Sequence, residues 1–291
     1  MYNQISSNKR ATVILMLLFV MVVLGLGWAV GQWSQSPGVA IALAVIIAGS
    51  LSLVSYFSGD KIALATAGAR AITKEENPYV YRMVENLCIT AGLLIPKVYV
   101  IDDPAPNAFA TGRDPKHASI AITTGLIQSL ENEELEGVIA HELSHVKNYD
   151  IRLMMIVIVS VGVITLLADI FFRGSLFRGS RRREGNDIFA IFGLVLIILS
   201  PLFARLIQFA VSRRREFLAD ASGALLTRYP EGLAKALEKI GQYKQPLRRV
   251  NTATAHLYIS NPFGGSGKSF RNLFSTHPPI EERIKALRTM A

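Results

Sequence analysis

Two stretches of the chain, residues 11–30 and 38–57, are mostly apolar and contain no charged residue. A helix needs roughly 20 mostly apolar residues to cross the hydrocarbon core of a bilayer, so each stretch is long enough to span. The connection at 31–37 is polar, uncharged and marked by Gly31 and Pro37, and the pair is expected to form a tight transmembrane hairpin. A cleaved signal peptide is the alternative, because Lys9 and Arg10 precede the first stretch. That run is longer than the apolar part of a leader and a second run follows at once, which favours a retained anchor.

The apolar content of 51%, against 18% charged residues, is high for a soluble domain and directs attention to two weaker stretches. Residues 153–172 carry Asp169 near their end, and residues 188–204 are shorter and contain Pro201. Lys9 and Arg10 precede the first hairpin, Lys61 and Arg70 follow it, and its turn has no basic residue, so both outer flanks are expected to be cytoplasmic. If the second pair also spans, the connection at 173–187 lies outside, yet it holds Arg173, Arg178, Arg181, Arg182 and Arg183, against the same tendency. Two crossings or none leave the residues on either side of that pair on one face of the membrane.

The net charge of +9 suits either nucleic acid or an anionic lipid surface. With no nucleic-acid motif and no interleaving of aromatic and basic residues, the lipid bilayer is the expected partner and nucleic acid is not. The single cysteine, Cys88, excludes an intrachain disulfide.

Outside the apolar stretches, a helix is expected over 78–91, short β-branched strands over 97–101 and 119–122, and a second helix from Glu131. Glu131, Glu133 and Glu134 place negative charge in its first turn, where it complements the helix dipole. A helix ends near Thr227, and Pro230 opens another with Leu233, Ala236, Leu237 and Ile240 on one face. Residues 245–276 read as loop, with a Gly/Ser-rich patch at 264–268, and 278–290 as a short closing helix. The expected class is α+β, helix-dominated and membrane-integral. Its parts are a hairpin at 1–57, a first half of the soluble domain at 58–150, a second apolar pair at 151–211 and a second half at 212–291.

Within the helix that starts at Glu131 stands His141-Glu142-Leu143-Ser144-His145. Residues four apart share a helix face, so both imidazoles reach one metal ion while Glu142 projects beside them as a general base. A catalytic zinc site takes three protein ligands. Glu216 offers the third, and Asp220, one turn on, offers an acceptor for the outer nitrogen of a ligand histidine. Spacing alone weighs this evenly against a surface carboxylate neutralised by Arg213, Arg214 and Arg215. Ala219, Ala221, Gly223 and Ala224 tilt the balance by permitting close helix packing. His117 and His256 are weaker candidates.

The segments HELSHVKNYD at 141–150, SRRREFLADASGA at 212–224 and STHPPIEERI at 275–284, among four apolar stretches, resemble the HtpX family of bacterial membrane metalloproteases. The CAAX prenyl endopeptidases are more distant relatives. The resemblance implies a gluzincin-type zinc metalloendopeptidase with one Zn2+ per chain held by His141, His145 and Glu216. It implies ATP-independent cleavage of misfolded or membrane proteins in quality control and stress response, at the bacterial inner membrane; the placement of Lys and Arg, not the resemblance, puts the active site and both termini on the cytoplasmic side. It also implies that His277 and Arg283 line the site, His277 being able to donate to a developing oxyanion. The stretch 106–112, Pro-Asn-Ala-Phe-Ala-Thr-Gly, is similar to the family's NAF-type strand, which makes Asn107 a candidate substrate contact.

Two other readings compete. An intramembrane zinc protease would also join this motif to apolar helices, but the flanks Glu131, Glu133, Glu134, Lys147 and Asp150 are too polar for membrane depth. A metal scaffold or transporter would place ionisable groups within its spans, where Asp169 is the sole candidate.

Overall fold

The computed structural model describes residues 2–33, 35–158, 160, 213–251, 254–264 and 278–290. Most of the stretch expected at 153–172, all of 188–204 and the arginine-bearing connection between them lie outside the described residues, as do His277 and positions 265–268.

The first two apolar stretches form α1 (Tyr2–Trp33) and α2 (Pro37–Ala67), which pack against each other. Both are longer than expected. At 1.5 Å per residue each extends over about 45 Å, well past the roughly 30 Å of a hydrocarbon core. Val39, Ile46 and Leu53 on α2 remain 64%, 63% and 61% exposed, where the core helix of a soluble protein would bury them. The far end of α2 behaves differently. Ala63, Leu64 and Ala67 are buried against Phe109, Met154, Met155 and Tyr258, so the hairpin runs directly into the packed domain.

A left-handed Gly68 closes α2 and leads into β1 (Ala69–Ala71). With β2 (Lys97–Ile101), β3 (Ala108–Gly112) and β4 (Ala118–Thr123) it makes a sheet of order β1-β2-β4-β3. The β2 and β4 strands pair in parallel with Val98 opposite Ile120, and the other pairs are antiparallel. The strands expected at 97–101 and 119–122 are thus found, the second one residue longer at each end. The three residues of β1 carry no strand signal and are extended because β2 pairs with them.

Helix α3 (Pro78–Ala91) starts at Asn77, whose side chain accepts from the Val80 N–H, and ends at left-handed Gly92. A short α4 (Thr124–Ser129) follows β4, and then α5 (Asn132–Lys147), whose entry is fixed by the Glu131 N–H donating to Glu134 Oε2 at 2.9 Å. Beyond it the chain is helical again over 150–158. After the undescribed stretch come α6 (Arg213–Thr227), α7 (Pro230–Gln242) and α8 (Ile280–Arg288). Leu233, Ala236, Leu237 and Ile240 on α7 are all buried, as their spacing implies.

Helix α5 is the centre of the domain. It packs against α6, α7 and β3, and its Val138, Ile139 and Leu143 join Val84, Leu126 and Leu233 in the main core. Its approach to α7 depends on Gly137, where a Cβ would lie 2.8 Å from the Leu233 backbone nitrogen. Residues from both sides of the second apolar pair therefore build one core.

Candidate active site

Helix α5 presents His141 and His145 one turn apart, 1% and 5% exposed, with their rings nearly perpendicular at a centroid distance of 4.8 Å. Their Nε2 atoms face each other at 3.2 Å. Glu216, fully buried in the first turn of α6, brings Oε1 to 3.6 Å from His145 Nε2 and Oε2 to 3.8 Å from His141 Nε2. Among the described residues, these three form a group whose ligand atoms all lie within 4.8 Å of one another.

The outer nitrogens of both rings are held by carboxylates. His141 Nδ1 lies 2.9 Å from Asp220 Oδ1, and His145 Nδ1 lies 3.0 Å from Asp150 Oδ2. A carboxylate on Nδ1 fixes the proton there and turns the Nε2 lone pair inward, the arrangement found around metal-bound histidines. The donor set fits a divalent cation: two imidazole nitrogens and one carboxylate converge, with their supporting acceptors in place. Burial works against a charged His145, but the bond to Asp150 and the charges of Glu216, Asp150 and Glu142 outweigh it and push its pKa up to about 9. A divalent cation held by these groups would compete with that proton, because a ligand imidazole must be neutral to bind it.

Asp220 is gripped from a second side. Arg283, on α8 and fully buried, donates from Nε to Asp220 Oδ2 at 2.9 Å and from Nη2 to Oδ1 at 2.7 Å. Its Nη1 donates to the Ile259 carbonyl at 3.1 Å and lies 3.7 Å from Glu216 Oε2. Burial opposes ionisation of Asp220, yet the Arg283 charge, with the bonds from His141 and Arg283, lowers its pKa to about 2. Burial works against the charge on Arg283, but the charge and hydrogen bonds of Asp220, together with the charges of Glu216 and Glu142, outweigh it and hold Arg283 above the ordinary arginine value.

Glu142 is 2% exposed, and its pKa is raised chiefly by burial, with the Glu216 charge adding to it. The two histidines and the Ala110 N–H of β3 pull the other way. A carboxyl raised in this manner is a better proton acceptor near neutral pH.

Strand β3 lies at the sheet edge, with its outer side partly covered. The Ile259 N–H donates to the Ala108 carbonyl at 3.0 Å, and Phe109 meets Tyr258 edge-on. Asn107, 2% exposed, donates from Nδ2 to the Ser260 carbonyl at 3.2 Å, while its Oδ1 accepts from the Ala108 and Ser260 N–H groups. Its side chain is engaged in tying residues 254–264 to the strand.

Of the residues singled out in the sequence, the structure brings together His141, Glu142, His145, Glu216, Asp220 and Arg283. His117 lies apart from them, bonded to Asp114, and His256 is buried with Nε2 at 3.4 Å from the Met154 carbonyl. His277 is outside the described residues. Sequence reasoning missed Asp150, which stands five residues after His145 and off its helical face. A left-handed Tyr149, with φ of 62°, turns the chain back so that Asp150 reaches the ring. The Ala110 N–H was likewise illegible, because any residue but proline would supply it there.

The profile of peptidase family M48 matches residues 74–291. The chain is similar to the protease HtpX homolog of Dictyoglomus thermophilum, 47% identical over 289 residues that make up 99% of this chain and 94% of that one. It is 48% identical over 293 residues to the homolog of Tropheryma whipplei strain TW08/27, covering 100% of this chain and 98% of that one. The homolog of Lactobacillus acidophilus is 44% identical over 302 residues, covering both chains in full. Among solved structures, the crystal structure of S. mikatae Ste24p shares the fold with a TM-score of 0.52 at 18% identity, over 99% of this chain and 67% of that one. The chain therefore belongs to peptidase family M48, among the HtpX proteases, and is a metalloprotease.

Proposed function

We propose that this chain is a membrane-anchored, zinc-dependent endopeptidase that cuts misfolded or membrane proteins on the cytoplasmic face of the bacterial inner membrane. The observation that carries this reading is the convergence of His141 Nε2, His145 Nε2 and the Glu216 carboxylate, with Asp220 and Asp150 holding the outer nitrogens. Two imidazoles and a carboxylate are a ligand set of catalytic zinc, here one ion per chain.

When bound, zinc supplies a Lewis acid that makes water more acidic and polarises the scissile carbonyl. Glu142, with its raised pKa, takes the proton of the attacking water and passes it to the leaving amine. His277, from the same sequence motif as Arg283, is assigned the hydrogen bond to the developing oxyanion. Arg283 fixes Asp220 and, through it, His141, and also places its own charge beside Glu216. Asn107 shapes the substrate edge of β3 through its bonds to Ser260.

Anchoring follows from the apolar residues that α2 leaves uncovered, and orientation from Lys9, Arg10, Lys61 and Arg70 flanking the hairpin. Cutting of extramembrane segments fits a motif helix flanked by Glu131, Glu134 and Lys147.

The test is metal analysis of purified wild type beside His141→Ala, His145→Ala and Glu216→Ala, with cleavage of an unfolded protein followed in parallel. Each variant is expected to lose zinc and activity, and a chelator should silence the wild type reversibly. Full zinc occupancy in Glu216→Ala, or a zinc-loaded wild type that cleaves nothing, rejects the reading.

A further inference from the structure

Asn8 lies in the opening turns of α1, ahead of the apolar stretch 11–30, yet it is only 1% exposed. Its amide nitrogen donates to Asp150 Oδ1 at 2.6 Å and to the Asn148 carbonyl at 2.8 Å. Its amide oxygen accepts from Arg215 Nη1 at 3.4 Å, and Arg215 Nε lies 3.9 Å from the same Asp150 oxygen. Both amide protons and the acceptor are therefore in use, all on groups that frame one carboxylate. The other oxygen of that carboxylate holds His145 Nδ1 at 3.0 Å.

The same turn is gripped a second time. Lys9 places its ammonium 4.6 Å from the centroid of the Tyr149 ring, and Tyr149 is the left-handed residue that swings Asp150 back toward α5. A non-glycine residue in that conformation persists only where its surroundings over-determine it. The surroundings here are the first turns of the anchor helix together with Arg152, whose guanidinium lies 5.0 Å from the centroid of the same ring.

We propose that Asn8 is a positioning residue of the metal site: by orienting Asp150 it fixes the His145 ring with Nε2 turned toward His141 and Glu216, and so makes the anchor helix part of the site. The inference rests on the zinc-site reading above. An aspartate at position 8 would set two carboxylates against each other, and an alanine would leave Asp150 Oδ1 without its amide donor. Supporting partners of this kind commonly alter metal affinity by about 10–100-fold.

The experiment uses the full-length chain in detergent and reads zinc affinity by competition with a chromophoric chelator. Asn8→Ala is expected to bind zinc about 10-fold more weakly than wild type, with Asn8→Asp at least as impaired. In an Asp150→Ala background the Asn8→Ala change should add almost nothing, since its effect passes through that carboxylate. A merely structural role would instead give the same loss in both backgrounds, and that result overturns the proposal. So does an Asn8→Ala chain within about twofold of wild type, given a His145→Ala control that has lost the ion. Should either Asn8 variant fail to fold, Asn8→Gln, which keeps an amide on a longer arm, is expected to fall between wild type and His145→Ala. Affinity for Asn8→Gln equal to wild type overturns the positioning role. Wild-type affinity in His145→Ala rejects the zinc site itself and the proposal with it.

Discussion

Gly223 on α6 lies directly against His141 on α5: a Cβ at position 223 would come within 3.0 Å of the His141 backbone nitrogen and 3.2 Å of its Cα. This contact sets the distance between the helix that carries both histidines and the helix that carries Glu216 and Asp220. Substitution by valine must push α6 away and carry the Glu216 carboxylate with it. Gly223→Val is expected to lose zinc while keeping its helical circular dichroism, at a stability cost of about 1–3 kcal/mol. Wild-type zinc stoichiometry in that variant would show that the helix spacing does not govern the site.

Glu142→Gln separates binding from chemistry. The side chain belongs to the site without being one of the three converging ligands, so the amide should leave zinc content unchanged. Turnover is expected to fall by about a hundred- to ten-thousand-fold, with KM little altered. Peptide cleavage measured beside metal content checks this, and a near-normal rate removes Glu142 from the role of base.

Asp220→Ala should act on affinity and on stability for different reasons. Removing the partner of His141 Nδ1 weakens zinc binding by about 10–100-fold. Leaving the buried Arg283 without its bidentate carboxylate costs about 3–5 kcal/mol. The paired change Asp220→Leu with Arg283→Met should recover most of the stability and none of the affinity. Recovery of both would mean that Asp220 does not orient the histidine.

Acid stability carries the signature of the same ion pair. The Asp220 pKa is lowered from 3.8 to about 2, so its contribution is fully present above pH 4 and is lost as pH falls toward 2. The shift corresponds to roughly 2 kcal/mol. Thermal unfolding from pH 5 to 2 should therefore decline more steeply in wild type than in Asp220→Asn, and parallel curves would contradict the assignment.

The local features were legible because local rules govern them. Two histidines four apart on a capped helix must share a face, and the structure brings their Nε2 atoms to 3.2 Å. The entry of α5 at Glu131, the Pro78 and Pro230 starts and the apolar face of α7 follow from capping and periodicity in the same way. The uncharged runs at 11–30 and 38–57 showed where a hairpin would form, though not that α2 would continue to Ala67 and bury Ala63, Leu64 and Ala67 in the domain. Asp60 and Lys61 end the uncharged run just before those residues, so hydropathy stops short of the continuation and packing decides it.

By itself the sequence pointed to the kind of chemistry: two histidines four apart on a capped helix, a glutamate between them and a later carboxylate whose small neighbours allow helices to meet. Only the tertiary structure decided what holds those groups. Asp150 is five residues from His145, off the helical face, and reaches it because Tyr149 adopts a left-handed turn gripped by Asn8 and Lys9 from the far end of the chain. The Ala110 N–H reaches Glu142 from a strand edge that any side chain could occupy. The Asn8 contact joins residues far apart in sequence, and the others run through a turn or a backbone group, none of which leaves a period or a spacing for a sequence to display.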